Sequence, residues 1–99
     1  MKETNNPSFE LVEYRLKPMF RDEFRVKWRK LYGQLKSDQL IGKAELYSVE
    51  PSRYMSLVEW KNSNHILEEQ PYLALANEMM EVLDRVKVVS PLQQLESTK

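Results

Sequence analysis

RYMSLVEWKNSNHILEEQPYLAL, residues 53–75, decides how this chain is read. Its first eight residues alternate in two sets: Tyr54, Ser56, Val58 and Trp60 on one side, Arg53, Met55, Leu57 and Glu59 on the other. A period of two predicts a strand, and apolar residues in both sets predict that both of its faces are covered. Asn62 or Ser63 then offers a cap for a helix whose first turn holds His65, Ile66 and Leu67. Pro71 has no N–H to donate and disfavours helix at Gln70, so a break is expected there. Beyond it Tyr72, Leu73, Leu75, Ala76, Met79, Met80, Val82 and Leu83 form a wide apolar arc, with Asn77, Glu78 and Glu81 on the wet side. That arc predicts a helix over 72–83. A cleft is expected where the end of the strand meets the start of this helix.

The elements before and after follow the same logic. LIGKAELY, residues 40–47, reads as a strand with a small face of Leu40, Gly42, Ala44 and Leu46 opposite Ile41, Lys43, Glu45 and Tyr47. Small residues let a helix or a ligand approach closely. Residues 48–52, SVEPS, suit a five-residue hairpin loop. Phe20, Phe24, Trp28, Leu31 and Leu35 repeat at helical spacing and predict an amphipathic helix over 19–36, with Pro18 at its start and Glu23 able to pair with Lys27. Residues 9–16, FELVEYRL, alternate as a strand: Phe9, Leu11, Glu13 and Arg15 against Glu10, Val12, Tyr14 and Leu16. Residues 85–92, RVKVVSPL, give a last strand, with Pro91 best placed at an edge or an end. Residues 1–7 and 93–99 are expected to be loose tails around one domain. The order βαββαβ is an α+β, ferredoxin-like sandwich.

Bulk properties exclude several classes of function. The chain has 99 residues, 41% hydrophobic and 30% charged, with 15 basic and 15 acidic residues that cancel. Zero net charge gives no support for a nucleic-acid or anionic-membrane partner. There is no cysteine, which removes disulfides, thiolate metal sites and a cysteine nucleophile. No apolar run approaches the ~20 residues of a membrane span, and a cytoplasmic location is the expectation. RNA-recognition domains share the element order but need a glycine-aromatic third strand with basic residues, and RYMSLVEW has no glycine and an acidic residue.

Two helices cover only one face of a four-stranded sheet. Yet three strands carry apolar residues on both faces: Val12 and Leu16 against Phe9 and Leu11, Val58 and Trp60 against Met55 and Leu57, and Val88 against Val89. An uncovered apolar face is an aggregation hazard. A homodimer packed sheet to sheet is therefore expected, the two-fold dimer being the commonest assembly.

The stretch GKAELYSVEPSRYMSLVEWKNSNHILEEQPYLAL resembles the dimeric α/β-barrel group that includes the antibiotic biosynthesis monooxygenases. The residues carrying the likeness are Gly42, Leu46, Tyr47, Trp60, Pro71 and Tyr72. The resemblance implies a homodimeric α/β barrel of ferredoxin-like protomers, with a ligand cleft between sheet and helices. Some members oxidise polycyclic aromatic substrates with oxygen and neither metal nor flavin; others degrade haem. Many carry a histidine about four residues before the proline, where this chain has Leu67 and a displaced His65. Haem-degrading members carry an asparagine where this chain has Tyr14, and a tryptophan and a histidine on the second helix that residues 72–83 lack. No cofactor is implied.

Candidate catalytic residues are therefore His65, Trp60 and Tyr72. His65 is the one side chain whose ordinary pKa lies near neutrality, suited to a general base; its plainer reading is an exposed residue of a first helical turn. Tyr14, Phe24, Trp28, Trp60 and Tyr72 are candidate substrate-binding residues, able to stack a planar ligand or simply to fill core. Arg21, Arg25 and Arg29 form a row of like charge, an anion patch or a solvated face. One expected function is cofactor-independent oxidation of a small aromatic molecule, by deprotonation and attack of the carbanion on oxygen. The other is non-enzymatic ligand binding or regulation by the same dimer.

Overall fold

The computed structural model describes residues 8–61 and 64–93. β1 (Ser8–Leu16), α1 (Arg21–Ser37), β2 (Ile41–Glu50), β3 (Arg53–Trp60), α2 (Tyr72–Met80) and β4 (Leu83–Gln93) follow the expected βαββαβ order. The sheet order is β2-β3-β1-β4 and every pairing is antiparallel. This is the ferredoxin-like α+β sandwich. The most apolar strands, β1 and β3, are central, and Pro91 sits near the end of the edge strand β4, where a missing N–H costs least.

The core lies between the helices and one face of the sheet. Val12, Tyr14 and Leu16 from β1 meet Tyr54, Val58 and Trp60 from β3, with Phe24, Trp28, Leu31, Tyr32 and Leu35 above them. β3 shows the alternation cleanly: every second residue from Tyr54 to Trp60 is buried and the residues between are half-buried. No helix among the described residues is long and apolar enough to cross a membrane.

Boundaries differ from the sequence expectation where local backbone chemistry intervenes. α1 starts two residues late because Met19 adopts a left-handed conformation (φ 68°) and turns the chain after Pro18. Phe20, expected on the buried stripe, is consequently the residue before the helix and partly exposed. At the other end Gln39 (φ 63°) takes the left-handed position usually given to glycine. Its N–H reaches the Lys36 carbonyl and the Leu40 N–H reaches that of Leu35, both Schellman-type bonds that close the helix and fold Leu40 onto the core.

β2 carries a register shift between Ile41 and Ala44. Ile41 therefore turns inward opposite Trp60, although simple alternation put it on the face away from Ala44 and Leu46. What approaches Gly42 is the Glu59 carboxylate, which accepts the N–H of Lys43 freed by the bulge at 3.2 Å. The hairpin is tighter than expected, since β2 runs to Glu50 and only Pro51 and Ser52 remain as the turn. The expected first helical turn after β3 is a 3-10 segment, Asn64–Glu68, separated by Pro71 from α2. α2 ends at Met80, three residues early; Val82 and Leu83 are buried as the lead into β4 instead.

Candidate functional site

Five of the expected site residues lie between the helices and the sheet. Tyr14, Phe24, Trp28, Trp60 and Tyr72 are 1, 0, 9, 3 and 8% exposed. Tyr14 rests against Phe24 with ring centroids 5.0 Å apart, and Phe24 against Tyr54 at 5.5 Å. Trp28 and Trp60 are joined through Tyr32, 4.9 Å from the first and 6.4 Å from the second. Position decides this arrangement: Trp28 and Tyr32 are one turn apart on α1, and Trp60 is the last inward residue of β3. At the Trp60 end of the expected cleft, Tyr32 and Trp28 thus pack ring to ring.

His65 stands apart. Its side chain is 80% exposed, with Nδ1 3.5 Å from the Glu68 carboxylate. The structure brings Trp28 and Trp60 into one aromatic row and leaves His65 on the outer surface of the 3-10 segment.

Polar groups punctuate the interior. The Tyr14 hydroxyl and Ser56 Oγ share a buried hydrogen bond of 3.2 Å. Burial pushes the Tyr14 phenol up, against the pull of hydrogen bonds to Ser56 and Tyr32 and of the nearby Trp28. Burial, with the neighbouring Tyr14 next, raises the Tyr32 phenol well above its ordinary range. Both are neutral donors at neutral pH. Trp60 Nε1 donates to Glu10 Oε1 at 3.1 Å. Trp28 Nε1 acts on the Tyr14 hydroxyl but has no acceptor in hydrogen-bonding geometry among the described residues, although it is buried. A buried donor left so costs about 1–3 kcal/mol, which makes it a feature needing a reason.

Tyr72 does a different job. Its ring is buried while its hydroxyl emerges at the surface and donates to Asp38 Oδ2, the same oxygen that accepts Gln34 Nε2 at 3.1 Å. The start of α2 is thereby tied to the end of α1. The Asp38 carboxylate holds the Tyr72 phenol above its ordinary value, and Tyr72, then Gln34, hold the Asp38 carboxyl below its own. A depressed carboxyl stabilises the fold above its unfolded-state pKa, and that contribution fades as pH falls through the folded value. In Tyr72→Phe, Asp38 is expected to titrate closer to the ordinary carboxylate value, and the loss of stability on acidification is expected to shrink. A carbon-detected NMR titration of the Asp38 carboxyl reads the first effect directly.

Tyr32, Ser56, Glu10 and Asp38 were not among the sequence candidates. Tyr32 had a signal, lying four residues after Trp28 beside Leu31. Glu10 had none, because its meeting with Trp60 depends on the β1–β3 register that sets Ser8 opposite Trp60.

Two hollows of ligand size open at the hairpin end of the sheet, away from Trp60. One of about 620 Å³ is lined by Leu16, Lys17, Pro18, Met19 and Arg21 together with Pro51 and Ser52 of the hairpin. A second of about 500 Å³ is lined by Arg21, Asp22, Arg25, Leu46, Ser48 and Tyr54.

Neither any family model nor any curated protein matches this sequence. Solved structures do match its fold. A candidate antibiotic biosynthesis monooxygenase from Nitrosomonas europaea is similar over 100% of both chains at TM-score 0.78 and 15% identity. PA3566 from Pseudomonas aeruginosa is similar over 96% of this chain and 100% of its own, at TM-score 0.77 and 12% identity. A variant of SnoaB, a cofactor-independent oxygenase from Streptomyces nogalater, is similar over 93% of this chain and 99% of its own, at TM-score 0.74 and 10% identity. The chain therefore has the fold of the antibiotic biosynthesis monooxygenase group, as its sequence resemblance implied.

Proposed function

We propose that the chain is a monooxygenase-like homodimer that takes a small aromatic molecule between its helices and sheet and oxidises it with dioxygen and no cofactor. The observation that carries this reading is the buried Trp28 Nε1, which reaches the Tyr14 hydroxyl only outside good hydrogen-bonding geometry and has no better acceptor among the described residues, beside two neutral phenols in the fold that SnoaB also has. A ligand oxygen displacing part of the aromatic row would accept that hydrogen bond. As negative charge grows on the oxygen during deprotonation, the indole N–H and the Tyr14 and Tyr32 hydroxyls would stabilise it more strongly. An activated ring CH₂ would lose a proton, attack O₂, and release water to leave a ring carbonyl, so that both oxygen atoms are accounted for. Trp60 and Tyr72 bound the site in this reading. Glu10, half-buried and hydrogen-bonded to Trp60, would receive the proton and pass it to solvent.

The dimer rests on the sheet's open face. Leu11 and Leu57 are direct cross-strand partners there, Met55 lies beside them opposite Glu13 and Tyr47, and all three of these apolar side chains are half-buried in the single chain. On the same face Arg53 pairs with Glu13 at 3.0 Å, while its Nε is buried without an acceptor among the described residues. A second copy would cover these half-buried apolar residues.

A non-enzymatic binding role is favoured by one specific observation. His65 and the Tyr72 hydroxyl, two of the three expected catalytic groups, engage Glu68 and Asp38 at the surface. Anthrone, an acidic tricyclic CH₂ compound, separates the two readings. The oxygenase reading expects oxygen uptake with formation of anthraquinone, and at least a tenfold slower turnover in Trp28→Phe, the effect of losing one preorganised donor. Anthrone bound without oxygen uptake supports the binding role. Neither binding nor turnover across tricyclic and bicyclic probes contradicts both.

A further inference from the structure

The geometry points to a second site: the 500 Å³ hollow beside the first turns of α1 binds the carboxylate of a small organic acid. Its position is set by three elements. Arg21 and Arg25, one turn apart on α1, project over the inner side of the β2–β3 hairpin, where Ser48 and Tyr54 are direct cross-strand partners. Leu46, two residues from Ser48 on the same side of β2, supplies an apolar wall.

Tyr54 makes this more than a pair of surface arginines. Its residue is 4% exposed and its ring packs on Phe24, while its hydroxyl, with no hydrogen-bond partner among the described residues, is the part that reaches solvent at the hollow. A hydroxyl so placed is open to donate to a ligand in the hollow. Neither Arg21 nor Arg25 forms an ion pair with a described carboxylate. Arg21, Arg25, Tyr54 and Ser48 thus bring two guanidiniums, a phenol and a hydroxyl to the lining of one hollow. A volume of about 500 Å³ is in the range of small-molecule sites.

Charge selects the kind of anion. Arg21 and Arg25 contribute two positive charges and Asp22 one negative, so the lining carries a net charge of +1. That balance matches a monoanion better than a phosphate dianion, and arginine pairs with carboxylate through two parallel hydrogen bonds. The Leu46 wall and the tyrosine beneath favour a carboxylate carried on a ring or a short apolar chain. The site faces the helix side, so a dimer formed through the open sheet face leaves it accessible. It does not depend on the oxidation chemistry proposed above.

Benzoate, benzamide and inorganic phosphate test this on the full chain by NMR titration at low ionic strength. Benzoate is expected to shift the Ser48 amide and the Tyr54 ring resonances saturably. Benzamide, the same shape without charge, is expected to leave them unmoved. Arg25→Gln is expected to weaken benzoate binding about tenfold, the loss of one charge-assisted contact. Tyr54→Phe keeps the ring packing and is expected to weaken it about fivefold. The proposal is overturned if benzamide binds as well as benzoate, if phosphate binds more tightly than benzoate, or if both variants bind benzoate unchanged. It is equally overturned if benzoate at tens of millimolar moves neither residue. Arg25 is exposed on α1, so its variant folds and every outcome can be read.

Discussion

Phe24→Ala is expected to lose about 3–5 kcal/mol of folding stability, the range for truncating a fully buried phenylalanine. Phe24 is wholly buried, with the rings of Tyr14 and Tyr54 packed on it at 5.0 and 5.5 Å. Those two tyrosines are anchored on the central strands β1 and β3 and directly oppose each other, so they cannot close the gap without disturbing the sheet. For a domain whose total stability is of order 5–15 kcal/mol, the loss is a large share of the whole. Urea denaturation measures it. Val26→Ala, on the exposed side of the same helix, is expected to change stability by no more than about 0.5 kcal/mol and serves as the comparison.

Leu57→Glu is expected to separate the proposed dimer without unfolding the chain. Leu57 lies at the middle of the open face, paired with Leu11 on one side and Glu45 on the other. A new carboxylate there would be buried against a second copy of itself across a two-fold interface, beside the existing Glu45 and Glu13. A hundredfold weaker association, about 2.7 kcal/mol, is a conservative expectation. Sedimentation velocity is expected to show a dimer for the natural sequence and a monomer for the variant, with far-ultraviolet circular dichroism preserved. A natural chain that sediments as a monomer at micromolar concentration would show that the open face is not an interface.

The fold was legible in the sequence because its central strands keep a two-residue period with apolar residues on both faces and its first helix carries an apolar stripe. Tyr54, Ser56, Val58 and Trp60 were legible as one face of β3, though not as the face that meets the helices, and Phe24, Trp28, Leu31 and Leu35 declared the buried side of α1. Failures came where backbone conformation departs from what the residue type suggests. Met19 and Gln39 adopt left-handed conformations with no glycine or asparagine to announce them. The bulge in β2 reversed Ile41 because a single inserted residue flips the alternation that follows it.

The site was less legible because its geometry is made of register. Trp60 and Trp28 were recognisable as aromatics at element ends, but the link between them, Tyr32, looked like a neighbour of core leucine. The bonds from Trp60 to Glu10 and from Tyr72 to Asp38 join residues 50 and 34 positions apart, and no local pattern encodes either. His65 shows the converse: its chemistry was conspicuous and its position is peripheral. The Arg21 and Arg25 row gained meaning only when the hairpin set Ser48 and Tyr54 beneath it.

The central claim is that a ligand enters between the helices and the sheet and accepts a hydrogen bond from Trp28. The chain has two tryptophans, so their indole N–H resonances separate the claim cleanly. Trp60, already bonded to Glu10, should resonate as a hydrogen-bonded indole before ligand is added, and Trp28 as one bonded only weakly, to the Tyr14 hydroxyl. On saturation with anthrone under nitrogen, the Trp28 N–H is expected to move downfield into the hydrogen-bonded range and to become protected from solvent exchange. A saturable anthrone complex that leaves the Trp28 resonance where it began would place the ligand elsewhere and contradict the account.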